Sequence, residues 1–387
     1  MLNVGLIGIG NCGNQVAALA KKTANIDVVC INTSENDLAT LPEELKDVSF
    51  PLGDNEGSGK NRSEAKKFLK NSITSLVSDE RFKNIISSKD VIFIVSSTGG
   101  GTGSGMAPIM SSIIRQAFRN VDGSEKPVIL IGVLPRLSEG LSTQVNAMDY
   151  MHELFDVLEN PTYMLYDNNN YNKESSPVIL QKVNQEIVSD IQILSCLYNL
   201  PTPFDSIDEK DMKTILYTPG LISIGSIFGI KEKDLDEKTL EDVIIDSLKT
   251  NAHAELQRDG IVSRTGLITN LSEKLNATFD THLNQVRNFI GEPVEEFLHI
   301  AVNSDRDMPN NICFIATGLS KPVDRMDKIK DRINEINEKQ AEQERAKKDA
   351  SISAEEIEAL NAKRNYRSTE SAGAQADLKS TFAKFGV

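Results

Sequence analysis

Residues 90–108 set a strand, a glycine run and a helix in immediate succession. Val91, Ile92, Phe93, Ile94 and Val95 are apolar and mostly β-branched, which predicts a buried central strand. Gly99, Gly100, Gly101, Gly103 and Gly105 follow, five glycines in seven positions. Beyond them Met106, Ile109, Ile113, Ile114 and Ala117 recur at helical spacing over 106–118. Glycines held between a buried strand and an amphipathic helix make an anion cradle rather than a linker. Successive backbone N–H groups point inward, and the start of the helix adds partial positive charge. Larger side chains would block that approach, and positive φ is expected at several of the glycines. Thr102 and Ser104 supply hydroxyls for phosphate oxygens. The loop is not of the Walker type, which ends in Gly-Lys-Ser/Thr, because no lysine occurs between Lys89 and Lys126.

A second turn of this kind opens the chain. A strand over 2–9 enters Gly10-Asn11-Cys12-Gly13-Asn14-Gln15, and a helix continues through Ala20. Gly8, Gly10 and Gly13 have the spacing of a dinucleotide fingerprint, which alone admits a nicotinamide-dependent oxidoreductase. Such an enzyme needs an acid at the end of its second strand to hold the ribose hydroxyls. That strand, 26–31, ends instead in Asn32-Thr33-Ser34. Two glycine turns in one sheet suit a nucleoside triphosphate, whose phosphates separate loops can share. The polar loop 53–61 is either a plain surface connection or a further nucleotide contact.

With 387 residues, the chain can bury two cores. No apolar run reaches the 18 residues of a membrane span, and no basic stretch precedes an apolar one at the start, so a cytoplasmic protein without membrane contact is expected. Cys12, Cys30, Cys196 and Cys313 stand singly, as reduced thiols do. The four histidines show no ligand spacing, which argues against a structural zinc site. A net charge of −14 excludes a generally DNA-binding surface. Nine basic and eight acidic residues over 339–387 leave that tail near neutral, so the body carries the acidity.

Gly-Gly-Gly-Thr-Gly-Ser-Gly over 99–105 resembles the phosphate-binding signature of the tubulin/FtsZ superfamily of filament-forming GTPases. The likeness covers roughly 1–335. It implies an α/β fold: a Rossmann-like GTP-binding domain over 1–175, a long central helix over 176–200, a synergy loop with a mixed-sheet α+β activation domain over 201–322, and a helical C-terminal tail over 323–387. It also implies GTP or GDP as ligand, with Mg2+ bridging the phosphates and no protein ligand assigned to the metal. Gly10, Asn11, Cys12, Gly13 and Asn14 are similar to tubulin's first nucleotide loop; Asn32 and Thr33 are similar to the second loop of FtsZ. The loop 53–61 stands where the family senses the γ-phosphate. Gly99, Gly100, Gly101, Thr102, Gly103 and Ser104 form the phosphate loop. Glu139, after the strand 127–133, matches the family's ribose-binding glutamate. Asn168 matches the asparagine that reads guanine. Asn184, 24 residues before Asp208, stands near the second guanine-reading position.

Asp208 and Asp211 lie three apart, on one face of a helix start. Acids there are often only caps. The order Asp-x-x-Asp, Lys-Thr-Ile and then Pro-Gly-Leu before a strand nevertheless resembles the family's synergy loop, which implies two catalytic carboxylates acting on the neighbouring subunit's nucleotide. Ser206 replaces the asparagine of FtsZ, and with the Thr-Pro-Phe lead-in and Leu-Pro-Arg segment the chain is most similar to the TubZ branch of plasmids and phages. The expected protein is therefore an assembly-activated GTPase in head-to-tail protofilaments. It would segregate DNA indirectly, its tail recruiting a DNA-binding adaptor; a cell-division or phage-positioning filament is the alternative. Strands over 220–228, 265–271 and 312–317 and helices over 239–252 and 280–289 fill the second domain. Met326, Ile329, Ile333 and Ile336 mark a last packed helix. A capping box at 353–356, a basic patch at 363–367 and a phenylalanine pair in 382–385 belong to the tail.

Overall fold

A computed structural model describes residues 2–53, 56–120, 123–196, 202, 206–230, 240–273, 279–303 and 310–350. The expected tail features at 353–356, 363–367 and 382–385 lie outside them. Ten strands form one sheet: β1 (Val4–Ile9), β2 (Asp27–Asn32), β3 (Ser49–Pro51), β4 (Val91–Ser97), β5 (Val128–Leu134), β6 (Thr162–Asp167), β7 (Gly220–Ile230), β8 (Arg264–Ser272), β9 (Glu295–Asn303) and β10 (Asn310–Leu319). Their order is β3-β2-β1-β4-β5-β6-β7-β10-β8-β9. Neighbours from β3 to β7 are parallel, β10 is antiparallel to both β7 and β8, and β9 is parallel to β8.

The parallel strands are apolar on both faces, so successive residues feed two separate cores. Ile7, Ile9, Ile31, Ile92 and Ile94 pack with Leu69, Met106 and Met110 on one side. Leu6, Cys30, Phe93 and Val95 pack with Val16, Ala20 and the central helix Ser176–Cys196 on the other. Ile179, Val183, Ile187, Ile191 and Leu194 are the buried stripe of that helix. Met1–Ile333 is one compact unit; the other, Asn334–Val387, is described over the helical residues up to Ala350.

Three features differ from expectation. The helix after the glycine run starts at Thr102, four residues earlier than the apolar spacing predicts. β9 is a strand the sequence did not announce: its Glu-Glu start reads as a loop, yet at the sheet edge those side chains can stay near solvent. The sheet also forks. β6 and β7 pair only at Thr162 and Tyr163, opposite Gly220 and Leu221. Beyond that point the segment 252–254 takes over: Asp167 N–H donates to the Ala252 carbonyl, and Ala254 N–H to that of Leu165, both at 2.7 Å.

The last helix, Val323–Ala350, seats Ile329 in the first core. Its Arg325, 3% exposed, forks onto the equally buried Asp167 at the end of β6. One of its terminal nitrogens also donates to the Pro135 carbonyl at 2.6 Å. Removing one partner strands the other charge in the interior. Arg325→Ala should therefore lower unfolding free energy by about 3–5 kcal/mol in a urea titration; a loss below about 1 kcal/mol would show the pair to be incidental.

Candidate functional site

Two helices begin at the C-terminal ends of adjacent strands. Gly10–Ala24 follows β1, and Thr102–Ala117 follows β4. Neither has a side-chain cap or an acid in its first turn. A helix leaves its first four N–H groups without internal partners and its N-terminus partly positive. Here those donors stay open, and the two termini abut: a methyl on Gly10 would lie 3.1 Å from the Gly103 nitrogen. Gly10 itself has φ +73°, a conformation that disfavours any other residue.

A cleft of about 470 Å³ opens over these termini. Of the expected residues, Gly10, Asn11, Cys12, Asn32, Thr33, Gly100, Gly101, Thr102 and Gly103 line it. Gly13 and Asn14 lie buried beneath; Asn14 donates to the Ile31 carbonyl at 3.4 Å, and its own amide oxygen has no partner. The loop 53–61 joins the wall through Gly57, Ser58, Gly59 and Lys60. The Thr33 and Thr102 hydroxyls are 2.7 Å apart, and Ser58 Oγ lies 3.2 Å from Thr102 Oγ1. This tie joins the second loop, the third loop and the glycine run.

Positive φ, expected within the glycine run, occurs at none of Gly99, Gly100, Gly101, Gly103 or Gly105. Close approach is the reason for the small residues. A methyl on Gly101 would meet Ser58 Oγ at 2.3 Å and the Lys60 backbone at 2.7 Å, whereas one on Gly100 would meet nothing within 4 Å. Ser104 is fully buried and turns its hydroxyl back onto the Gly100 carbonyl, away from the cleft; Ser97 lines the wall instead.

Several contributors carry no motif. Asn146, buried on the helix Leu141–His152, donates to the carbonyls of Lys60 (3.0 Å), Gly99 (3.3 Å) and Gly100 (3.1 Å). Arg62, also buried, donates to the Ser104 carbonyl at 2.9 Å and to Glu153 at 2.7 Å. Lys60 is the only lysine or arginine on the described wall, its Nζ donating to Thr143 Oγ1 at 3.1 Å. Desolvation pushes the Cys12 thiol up to about 12, so it stays neutral and does not compete with an anion. Only a polar residue on an otherwise buried helix face hinted at Asn146.

Glu139, Asn168 and Asn184 do not line the cleft. Glu139 is half-buried and accepts from the Arg136 N–H at 2.9 Å. Asn168 starts the short helix Asn168–Tyr171 after β6, and its amide oxygen is buried without a partner. Asn184 is half-buried on the central helix.

Asp208 and Asp211 lie at the other end of the sheet. The helix Glu209–Leu216 begins there, and the two acids cap each other: Asp208 accepts from the Asp211 N–H at 2.8 Å, and Asp211 from that of Asp208 at 3.1 Å. Lys213, on the same helix, bonds Asp90 at 3.0 Å, and Asp90 immediately precedes β4. Partial burial works against the Lys213 charge, but hydrogen bonds to Glu209 and Asp90 outweigh it and raise its pKa above the ordinary value. The glycine run leaves the opposite end of β4, seven residues on, about 20 Å at the usual strand rise. The carboxylates of one chain therefore stand at the opposite edge of the sheet from its own cleft.

Residues 3–175 match the family described as "Tubulin/FtsZ family, GTPase domain". A tubulin-like protein CetZ of Pyrococcus abyssi is 27% identical over 256 residues, 63% of this chain and 66% of the relative, so the match spans just under two thirds of that protein. A tubulin-like protein TubZ of a Clostridium botulinum C phage is 31% identical over 175 residues, 44% of this chain and 45% of its own. Among solved structures, a GTPγS-bound protofilament of CetZ2 from Haloferax volcanii superposes with a TM-score of 0.68 at 16% identity, covering 87% of this chain and all of that one.

Because a methyl at position 101 would strike the loop opposite, Gly101→Ala should part the two loops. Affinity for a fluorescent guanine nucleotide should fall at least roughly tenfold. An unchanged affinity would place the anion elsewhere.

Proposed function

We propose, from the match of residues 3–175 to the tubulin/FtsZ-family GTPase domain, that the chain is a GTPase that hydrolyses its nucleotide only within head-to-tail filaments of its own kind. The observation carrying this reading is the separation of the uncapped helix termini from the Asp208–Asp211 pair by the length of β4. A site whose anion cradle and acids face opposite ways is completed by stacking one subunit on the next. The solved CetZ2 protofilament supports such stacking by analogy.

In this reading the amides at Gly10 and over 100–103 hold the phosphates, with the Lys60 charge beside them. Glu139 holds the ribose, and Asn168 and Asn184 read guanine; what supports Asn168 is its orphaned buried oxygen. Asp37 and Glu56 stand on the cleft wall, where bare phosphates would be repelled. Their presence suits a magnesium ion bound mainly through phosphate and water. Asp208 and Asp211 of the subunit above orient the attacking water. The division at the central helix then separates nucleotide holding, over 1–175, from acid presentation, over 201–322.

The finer proposal is that the filament moves plasmid or phage DNA in the cytoplasm through an adaptor on the tail. The TubZ relative and the Asp-x-x-Asp lead-in favour it; the CetZ relative, matched over more of the chain, lends it no support. Sedimentation of filaments with and without candidate DNA–adaptor complexes separates the two.

Asp208→Asn removes the charge but keeps a good helix cap, so folding is spared. With GTP and magnesium, wild-type rate per molecule should rise with protein concentration, while Asp208→Asn should assemble and hydrolyse roughly a hundredfold more slowly. A wild-type rate independent of concentration, or a fast variant, would contradict the proposal.

A further inference from the structure

Away from the nucleotide cleft, at the fork where β6 and β7 part, three ligand-type side chains meet. Glu186 and Asp190 project from the same face of the central helix, one turn apart. His253 comes from the segment that takes over pairing with β6. One ligand atom from each lies within 4.8 Å of the others. Asp190 and His253 are 2% and 3% exposed. His253 Nε2 and Tyr166 Oη both approach the same Asp190 oxygen, at 2.8 and 2.7 Å. The remaining His253 ring nitrogen, Nδ1, is buried with no partner. Glu186 accepts from the Ala252 N–H at 2.6 Å and from the Tyr171 hydroxyl at 3.2 Å.

Two carboxylates here share one imidazole, and among the described residues neither forms an ion pair with lysine or arginine. Interiors resolve such a deficit by protonation, by a cationic partner or by a metal. Access exists: a cleft of about 630 Å³ between the central helix and the helix Leu240–Thr250 is lined by Glu186 and Asp190.

We propose that Glu186, Asp190 and His253 bind one divalent ion of the zinc class, with water from the adjoining cleft completing its shell. One imidazole and two carboxylates are a borderline-to-hard donor set suited to Zn2+, which takes such ligands in fours. Binding replaces the His253–Asp190 hydrogen bond; a neutral ring that gives Nε2 to the ion keeps its one proton on Nδ1. The ion ties the central helix to the fork and stiffens the junction between the parallel and mixed parts of the sheet. No sequence spacing announced this site, since His253 lies 63 residues beyond Asp190.

The test uses the full chain, freed of metal by chelator and without nucleotide, titrated with Zn2+ alone and followed by calorimetry and thermal melting. One ion per chain should bind, and the melting temperature should rise by roughly 4 °C at a hundredfold excess over Kd. Glu186→Gln and His253→Gln should each weaken binding at least roughly tenfold. Cobalt substitution in the wild type settles the ligands even if a variant fails to fold: weak visible d–d bands without a thiolate charge-transfer band support the proposal. A strong thiolate band, which would put the ion on a cysteine, or no heat and no thermal shift in the wild type, would overturn it.

Discussion

Two helix starts left without caps, pressed against each other at the ends of β1 and β4, are the constraint on which the rest depends. Their amides cannot be satisfied from within the chain, because no side chain caps them and no acid lies in either first turn. Buried side chains around them hold the loops of that donor array in place. Asn146 ties together the carbonyls of Lys60, Gly99 and Gly100. Arg62 holds that of Ser104, and the Thr33, Thr102 and Ser58 hydroxyls satisfy one another. Such pre-arranged donors act on negative charge without reorganising at the moment of reaction.

The same parallel sheet that builds this array also sends the acids away from it. β4 begins beside Asp90, which anchors Lys213 and so the helix that Asp208 and Asp211 start. In the single chain those two acids are occupied in capping each other. In the proposed reading, the donor array of one molecule and the Asp208–Asp211 pair of the next are two halves of one site. On that proposal, hydrolysis is a property of contact rather than of the fold alone.

Much of this was legible in the sequence because it depends on local pattern. The β-branched run at 91–95, the glycines after it and the repeated strand-to-helix turn at Gly10 each gave a correct element. What stayed hidden depends on distant partners. The glycines at 101 and 103 are required by neighbours from the loop 53–61 and from β1, not by positive φ, and no local window contains those neighbours. Ser104 looks like a ligand until its hydroxyl is seen spent on Gly100. Arg325 is one arginine among many until the last helix folds back onto Asp167. β9 escaped notice because an edge strand tolerates the charged residues that mark a loop.

The most direct test of action between subunits is complementation. Chains carrying Asp208→Asn and Asp211→Asn hold nucleotide but bring no acids; chains carrying Gly101→Ala bring acids but hold nucleotide poorly. If the acids act across the contact, mixing the two at GTP low enough to leave the Gly101→Ala chains largely empty raises hydrolysis well above either alone, because one variant's acids serve the other's bound nucleotide. If the mixture co-assembles yet hydrolyses no faster than either protein alone, the acids act within their own chain or not at all, and the account fails.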